Sequence, residues 1–349
     1  MASDTKAAVL FDTTKPLRVI DLGIPELKPG QVLVDVAYSG VCHTQLSEAR
    51  GLRGPDRFIP HAMGHEGSGV VLETGEGVMK VSPGDRVVLS WIKGSGADVG
   101  STVYSSADGN INSGAITTFM DRTVTSENRL TMIPDDVPLR EAALMGCAIQ
   151  TGCGAVLNSA KVSKGATLAV FGVGGIGLSA VMAGELAGAS KVIAVDVFDH
   201  KLEQAKDLGA TDLINARTQD PVQAIRDITD GKGVDFSVEA AGLVMTMEQA
   251  FLSVRDAGGL CVLAGNLPFG ETIAINPMDL IRGKQVVGTW GGGSKPDEDI
   301  LNYIDLYLKG KLRLDKLVTH TYPLTGINQA LDDLENGAVG RALLDMSLS

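Results

Sequence analysis

The sequence predicts an α/β protein whose second part is a doubly wound parallel sheet and whose first part is rich in β-strands. A strand, a glycine-rich turn, a helix, another strand and an acid follow one another between Leu168 and Asp196. Apolar strands and helical segments alternate from there to about residue 290, as in parallel sheets. Before residue 145, short alternating segments and Gly- or Pro-containing turns indicate an irregular barrel or sandwich.

Length, charge and cysteine content narrow the class of protein. The 349 residues suffice for two domains. A net charge of −12 argues against nucleic acid and anionic membranes as partners. We find no apolar run long enough for a signal peptide or a membrane span, so we expect a cytoplasmic protein. Four cysteines are too few for a disulfide scaffold and are expected to be metal ligands, nucleophiles or packing residues.

The β-rich part contains recognisable strands and turns. Residues 7–10 begin it, and residues 31–38 alternate apolar and polar side chains as a half-buried strand does. The turn SPGD at 82–85 leads into a strand over 86–89. Residues 93–114 are rich in Gly, Ser, Asp and Asn, which predicts a surface loop.

The glycine turn of the second part has the pattern of a dinucleotide site. Gly172, Gly174 and Gly177 form GxGxxG between a strand and a helix, which allows a close approach to a pyrophosphate at the helix N-terminus. Asp196 ends the next strand and is placed to accept hydrogen bonds from ribose hydroxyls. Its carboxylate repels a 2′-phosphate, which favours NAD over NADP. The alternative is a purely structural glycine turn, but strand, helix and acid together favour the coenzyme.

Three separate residues form a candidate metal set. Cys42, His65 and Cys147 offer two thiolates and an imidazole, which suit Zn²⁺, and three protein ligands leave a fourth position open for water or substrate. Their spacing is too wide for a zinc knuckle, so folding must bring them together. The alternative for either cysteine is a small buried packing residue.

These segments resemble the zinc-dependent alcohol dehydrogenases of the medium-chain dehydrogenase/reductase superfamily. The resemblance covers essentially the whole chain and is carried, in the order of that family, by GVCHT at 40–44, GHEGSG at 64–69, LMGCAIQTG at 144–152, GVGGIG at 172–177, VDFSVEAAG at 234–242 and GRALLDM at 340–346. It implies a GroES-like catalytic domain formed by residues 1–147 and 291–349. A Rossmann NAD-binding domain, residues 148–290, is then inserted between these two pieces, with the active site in the cleft.

The resemblance also assigns roles around the metal. Cys42, His65 and Cys147 would hold one catalytic zinc, and Glu66 would sit behind it and enter its coordination sphere during ligand exchange. Thr44 would hydrogen-bond the substrate oxygen and begin proton release. Zinc would act as a Lewis acid on an alcohol, and hydride would pass reversibly to the nicotinamide.

Further positions are assigned to the coenzyme by the same resemblance. They are His43 and Arg341 at the pyrophosphate, Thr151 at the nicotinamide, Asp196 and Lys201 at the adenosine ribose, the loop residues Gly172, Gly174, Gly175, Ile176 and Gly177, and the strand-end residues Ala240 and Ala264.

Three departures from the family pattern change the expectation. Residues 92–114 contain no cysteine where many members carry a structural zinc, so we expect one zinc per chain. Gln45 replaces a common Asp that orients the ligand His, and its carbonyl would accept the same hydrogen bond. Ser47 stands where many members place the His that ends the proton relay. It either carries the proton or is an ordinary surface serine. Cys153 is expected to be a packing residue.

Substrate and assembly are less sharply defined. Trp91 and Phe119 match positions that line the alcohol pocket in relatives, although Trp91 could equally be a core residue. We expect a primary or secondary alcohol and its aldehyde or ketone, with a polyol or hydroxymethylglutathione as alternatives. The Cys–His–Cys set argues against a zinc-free reductase, and a non-catalytic NAD-binding protein is the remaining alternative.

The strand over residues 285–290 would pair with its twin in a homodimer, possibly within a tetramer; otherwise it is an exposed edge strand.

Overall fold

The computed structural model describes residues 4–348 and contains two compact units. The first unit comprises the chain up to Cys147, Lys295–Gly310 and the chain from Leu317 onward. The second comprises Ala148–Ser294 and Lys311–Lys316. Within residues 4–348, no helix has both the length and the apolar character to cross a membrane.

The regular elements are listed here in chain order. The strands are β1 Asp4–Leu10, β2 Arg18–Gly23, β3 Gln31–Val41, β4 His61–Ala62, β5 Glu66–Thr74, β6 Arg86–Ser90, β7 Val103–Ser106, β8 Gly109–Asn112, β9 Arg122–Ser126, β10 Leu130–Met132, β11 Thr167–Phe171, β12 Lys191–Asp196, β13 Asp212–Asn215, β14 Phe236–Glu239, β15 Leu260–Leu263, β16 Gln285–Gly288, β17 His320–Tyr322 and β18 Ala342–Asp345. The α-helices are α1 His43–Ala49, α2 Leu139–Ala142, α3 Ala148–Gly154, α4 Gly175–Leu186, α5 Asp199–Asp207, α6 Pro221–Ile228, α7 Val244–Ser253, α8 Pro277–Ile281, α9 Pro296–Leu308 and α10 Ile327–Glu335.

The first unit is built from a barrel and a sheet. The strands β1, β2, β7, β8 and β4 close the barrel, and the sheet runs in the order β10-β6-β5-β3-β18-β17 with β9 also paired to β3. The strand β3 is central: most of its residues are buried, and it pairs with β5, β9 and β18. It continues to Val41 and so delivers Cys42 to the start of α1.

The prediction of a surface loop over residues 93–114 is wrong in its second half. The strands β7 and β8 pair antiparallel there, and Tyr104 and Ile111 are completely buried in the barrel core. The Tyr104 hydroxyl accepts a hydrogen bond from the Val124 N–H at 2.8 Å. Two apolar side chains on an otherwise polar hairpin are enough to fix it, a signal too weak to read from composition.

The second unit confirms the doubly wound parallel sheet. Its six strands lie in the order β13-β12-β11-β14-β15-β16, all parallel. The order reverses beside β11, and ligands bind at such points outside the carboxyl ends of the strands. The helix α4 leaves β11 through the glycine turn, and most of its side chains are buried because the segment is apolar on all sides.

Candidate active site

The first unit brings Cys42, His65 and Cys147 together. Cys42 caps the N-terminus of α1, His65 immediately precedes β5, and Cys147 follows the 3₁₀ turn Ala143–Gly146. Their ligand atoms all lie within 4.8 Å of one another, with His65 Nε2 3.3 Å from Cys147 Sγ. Both cysteines are 5% exposed. Long-range folding therefore assembles the three donors that the sequence separates.

The protonation of this cluster favours a cation. A hydrogen bond from Cys147 holds the pKa of Cys42 well below its usual range; burial opposes this, while His65 and Arg341 add to it. Two sulfurs and an imidazole nitrogen also lie close enough together to hold a single ion. A tetrahedral Zn²⁺ fits this donor set, since thiolate and imidazole are its usual ligands and its binding releases such protons.

Gln45 differs from the expectation made for it. Its Oε1 accepts the Cys42 N–H at 3.2 Å, and its amide nitrogen, rather than its carbonyl oxygen, lies against His65 Nδ1. The carbonyl is thus already used in capping α1. Gln45 is 2% exposed and contacts the imidazole as a neutral side chain, where an Asp would be anionic.

Glu66 and Arg341 form a buried ion pair behind the cluster. Glu66 is completely buried and Arg341 is 4% exposed, and Arg341 Nη2 contacts Glu66 Oε1. Burial lowers the pKa of Arg341, while attraction to Cys42 raises it. Gly40 makes room for the carboxylate, since a Cβ there would lie 2.4 Å from Glu66 Oε1. The pairing of Glu66 with Arg341 was not foreseen from the sequence.

The helix α1 presents the remaining predicted residues of this unit. Thr44 and Ser47 are half-buried, and His43 is exposed at the start of the helix. Their short spacing places all three on the first two turns, next to Cys42.

A second group of possible ligands, Glu48, Asp56 and His61, is explained without a metal. His61 Nε2 lies 2.9 Å from Asp56 and 3.8 Å from Glu48, while Nδ1 lies 3.0 Å from the Ala62 carbonyl. Both ring nitrogens therefore already lie at hydrogen-bond distance from protein oxygens.

The aromatic side chains near the cluster have different environments. Trp91 is half-buried, and its ring meets that of His65 edge-on at 6.5 Å between centroids. Phe119, which was matched to a pocket position, is 0% exposed and packs in the hydrophobic core with Met63 and Leu46. Trp91 therefore retains exposed surface beside His65, whereas Phe119 has none.

The glycine loop of the second unit fits a pyrophosphate. Gly174 is the N-cap of α4, and a Cβ built on it meets no atom within 4 Å. A Cβ on Gly177 would lie 1.9 Å from the Gly172 carbonyl oxygen. The loop therefore packs tightly on one side and stays open on the other, where Gly175 and Ile176 begin the helix.

Asp196 organises the adjoining strand end. Its Oδ2 accepts the Val173 N–H of the glycine loop at 2.9 Å, and its Oδ1 accepts the N–H groups of Val197 and Phe198 at 2.7 and 3.1 Å. Lys201 is 7% exposed, and burial lowers its pKa while Asp196 opposes that shift. Lys201 Nζ lies 4.8 Å from the centre of the Phe198 ring.

The other predicted coenzyme residues of this unit lie at strand ends or are buried. The Ala240 N–H donates to the Phe171 carbonyl at 2.8 Å, and Ala264 lines a groove of about 740 Å³. Thr151 is 5% exposed, and its hydroxyl has no hydrogen-bond partner within residues 4–348. A buried hydroxyl of this kind is available to a ligand amide.

Comparison with protein families identifies both parts of the chain. The family model described as alcohol dehydrogenase GroES-like domain matches residues 28–135. The model described as zinc-binding dehydrogenase matches residues 175–309.

Individual relatives align over nearly the whole chain. The probable S-(hydroxymethyl)glutathione dehydrogenase 1 of Schizosaccharomyces pombe is 34% identical, with 98% of this chain and 97% of that protein covered. Alcohol dehydrogenase 2 of Zea mays is 33% identical, covering 98% and 97%. The crystal structure of benzyl alcohol dehydrogenase from Acinetobacter calcoaceticus matches with a TM-score of 0.88 and 31% identity, covering 98% and 99%. That of an alcohol dehydrogenase zinc-binding domain protein from Burkholderia ambifaria matches with 0.91 and 33%, covering 99% of each chain.

Proposed function

We propose that this chain interconverts a primary or secondary alcohol and its carbonyl product at Cys42, His65 and Cys147. The chain belongs to the zinc-dependent alcohol dehydrogenases of the medium-chain dehydrogenase/reductase superfamily and is a zinc- and NAD-dependent oxidoreductase. The observation that carries this proposal is the convergence of two thiols and an imidazole within 4.8 Å. When bound, zinc supplies Lewis-acid chemistry that lowers the pKa of an alcohol hydroxyl.

Side chains of the first unit would then carry the hydroxyl proton of the substrate away from the site. Thr44, half-buried on α1 beside Cys42, accepts the hydroxyl proton of the substrate and passes it outward. We propose Ser47, one turn further along the helix, as the next proton carrier; the alternative is an ordinary surface serine. Glu66 and Arg341 hold compensating charges behind the ligands, and Glu66 is the group available to enter the metal's coordination sphere.

The second unit would hold NAD. The open side of the glycine loop at Gly174 accommodates the pyrophosphate, Asp196 and Lys201 the adenosine ribose, and Thr151 the nicotinamide amide. In this proposal the first unit is the catalytic domain and the second the coenzyme domain.

The substrate is proposed to carry an apolar or aromatic group. Support comes from Trp91, whose half-buried ring lies edge-on to His65. A second candidate is S-(hydroxymethyl)glutathione, because relatives of that name are 33 to 34% identical over nearly the whole chain.

A homodimer through β16 is proposed for the assembly. Support comes from the position of β16 at the edge of the parallel sheet and from the exposure of Val287 (41%) and Trp290 (81%). A cytoplasmic location is proposed because none of the four cysteines, all within residues 4–348, forms a disulfide.

A turnover screen tests the function. The purified protein is assayed with NAD⁺ and with NADP⁺ against aliphatic alcohols, aromatic alcohols, polyols and S-(hydroxymethyl)glutathione, before and after chelation and zinc reloading. We expect NAD⁺-dependent turnover that chelation abolishes and zinc restores, strongest for aromatic alcohols. Turnover that survives complete metal removal would refute the zinc-dependent reaction. Absence of turnover in the zinc-loaded protein with every substrate would favour a binding protein.

A further inference from the structure

The segment from Trp91 to Asp98 runs directly along a buried polar triplet, Glu127, Asn128 and Arg129. The three triplet residues are only 4, 4 and 7% exposed. They form a 3₁₀ turn between β9 and β10, a connection where charged residues are normally solvated. Burial of Glu, Asn and Arg in succession requires partners for their polar groups.

Each member of the triplet binds a different point of the segment. Arg129 Nη1 donates to the Trp91 carbonyl. The Asn128 carbonyl accepts the Gly94 N–H at 2.8 Å, and the Asn128 N–H donates to the Ala97 carbonyl at 3.2 Å.

Glu127 supplies the strongest anchor. Its Oε2 accepts the Ala97 N–H at 2.7 Å, and its Oε1 accepts the N–H groups of Met79 and Lys80 at 2.6 Å each. This carboxylate therefore holds residues 79–80 and Ala97 against the Glu127 turn. Such charge-assisted bonds are roughly twice as strong as neutral ones.

Two further ion pairs hold the Trp91–Asp98 segment in place. Asp297 accepts the Ser95 N–H at 2.6 Å and pairs with Lys80. Lys93 pairs with Asp98 at 2.5 Å across the outer face of the segment. Carboxylate, carbonyl and guanidinium groups therefore bind the segment at Trp91, Gly94, Ser95 and Ala97, and the segment contains no cysteine.

The first residue of the segment, Trp91, lies beside His65 of the proposed metal cluster. Arg129 is bound to the main chain of Trp91, whose ring meets His65 at 6.5 Å and packs against the apolar cluster that contains Leu130 and Ile116. Burial lowers the pKa of Arg129 and Asp98 opposes the shift, while a guanidinium stays charged in proteins. Movement of this guanidinium would move the Trp91 main chain with it.

We propose that Arg129 is a positioning residue that sets Trp91 against His65, and that Glu127 and Asn128 hold the rest of the segment so that Trp91 shapes substrate selection. The kinetic consequence rests on the proposed function; the placement of Trp91 does not.

The chain contains only two tryptophans, which makes the placement measurable. Trp290 is 81% exposed, and W290F leaves Trp91 as the sole tryptophan. In that background we compare R129M, which removes the guanidinium, with R122M as the matched control. Arg122 lies on the preceding strand β9, and its 3.6 Å pair with Asp35 is exposed.

We expect R129M to shift Trp91 emission to the red and to raise its quenching by acrylamide about twofold or more, because the ring becomes more hydrated. R122M should leave both unchanged. In the zinc-loaded enzyme, R129M should raise KM for an aromatic alcohol about tenfold with kcat and the KM of a short aliphatic alcohol within about twofold. A purely structural role would lower the amount of active enzyme and so reduce kcat for all alcohols alike.

R129K keeps the buried charge without the planar fork and should shift Trp91 in the same direction by less. It decides the question if R129M fails to fold. Unchanged Trp91 emission and quenching in the folded Arg129 variants would overturn the positioning role. Loss of zinc-dependent turnover in the wild type would instead overturn the proposed function, while the fluorescence result would stand.

Discussion

Two tightly packed polar regions of the first unit differ in the bonding partners of their polar groups. They are the Cys42–His65–Cys147 cluster and the Trp91–Asp98 segment with its anchors. In the cluster, the metal-binding atoms of two cysteines and a histidine lie within 4.8 Å of one another. In the segment, the Glu127 carboxylate accepts three backbone N–H groups. The first set gains by exchanging protons for a cation, whereas the second is already satisfied. The comparison teaches that metal-binding atoms gathered around one point are satisfied by a cation. A buried carboxylate surrounded by N–H groups can instead hold a segment in place without a metal.

The largest expected effect breaks the cluster. C42S should abolish zinc binding and lower turnover by roughly 10³-fold or more, since a Lewis acid contributes several kcal/mol to the barrier. NADH binding, measured by fluorescence, should stay within about twofold, because the proposed coenzyme contacts remain.

The control for that variant is C153A. Cys153 is also completely buried, and burial raises the pKa of its thiol to about 12. It should keep zinc and turnover. Full activity in C42S would remove Cys42 from the metal site.

An intermediate effect separates the two regions directly. Chelation should abolish turnover and leave amide hydrogen exchange over residues 93–98 unchanged. E127Q should do the reverse: zinc content is retained, and exchange over 93–98 accelerates about tenfold, because one amide group now faces an N–H donor and a charge-assisted bond of about 1.5–3 kcal/mol is weakened. Loss of protection on chelation alone would show that the segment depends on the metal.

The smallest expected effect is on the pH dependence of stability. Burial raises the pKa of Glu127, but the N–H groups of Ala97, Met79 and Lys80 together bring it below its usual value. A folded pKa below the unfolded value gives stability that is present above pH about 4.3 and is lost as pH falls through the folded pKa.

The difference in free energy of unfolding between wild type and E127Q should therefore be constant above pH about 5 and shrink toward lower pH. Urea unfolding at a series of pH values measures it. A difference that grows on acidification would have the wrong sign for this account.

Much of the fold was readable because its signals are local. The glycine loop, the alternating strands and Asp196 predicted the parallel sheet, and the structure confirms it. The hairpin that contains Tyr104 and Ile111 was missed because two apolar residues in a polar stretch carry no periodicity.

The metal donors were singled out by their ligand chemistry and assigned by a family resemblance, and their convergence depends on long-range pairing that no spacing reveals. The orientation of Gln45 was misjudged because it depends on a competing demand from the Cys42 N–H. The triplet at Glu127–Arg129 was invisible for a related reason. Charged residues between two strands read as a solvated turn, and only the packing of residues 91–98 against them shows that they are buried.

The number of zinc ions per chain tests the central claim most directly. Metal analysis of the purified protein should give one zinc per chain, held at Cys42, His65 and Cys147 and lost in C42S, with none held by the Trp91–Asp98 segment. Two zinc ions per chain, with one retained in C42S, would contradict the account of that segment. No zinc after reconstitution would contradict the assignment of the cluster.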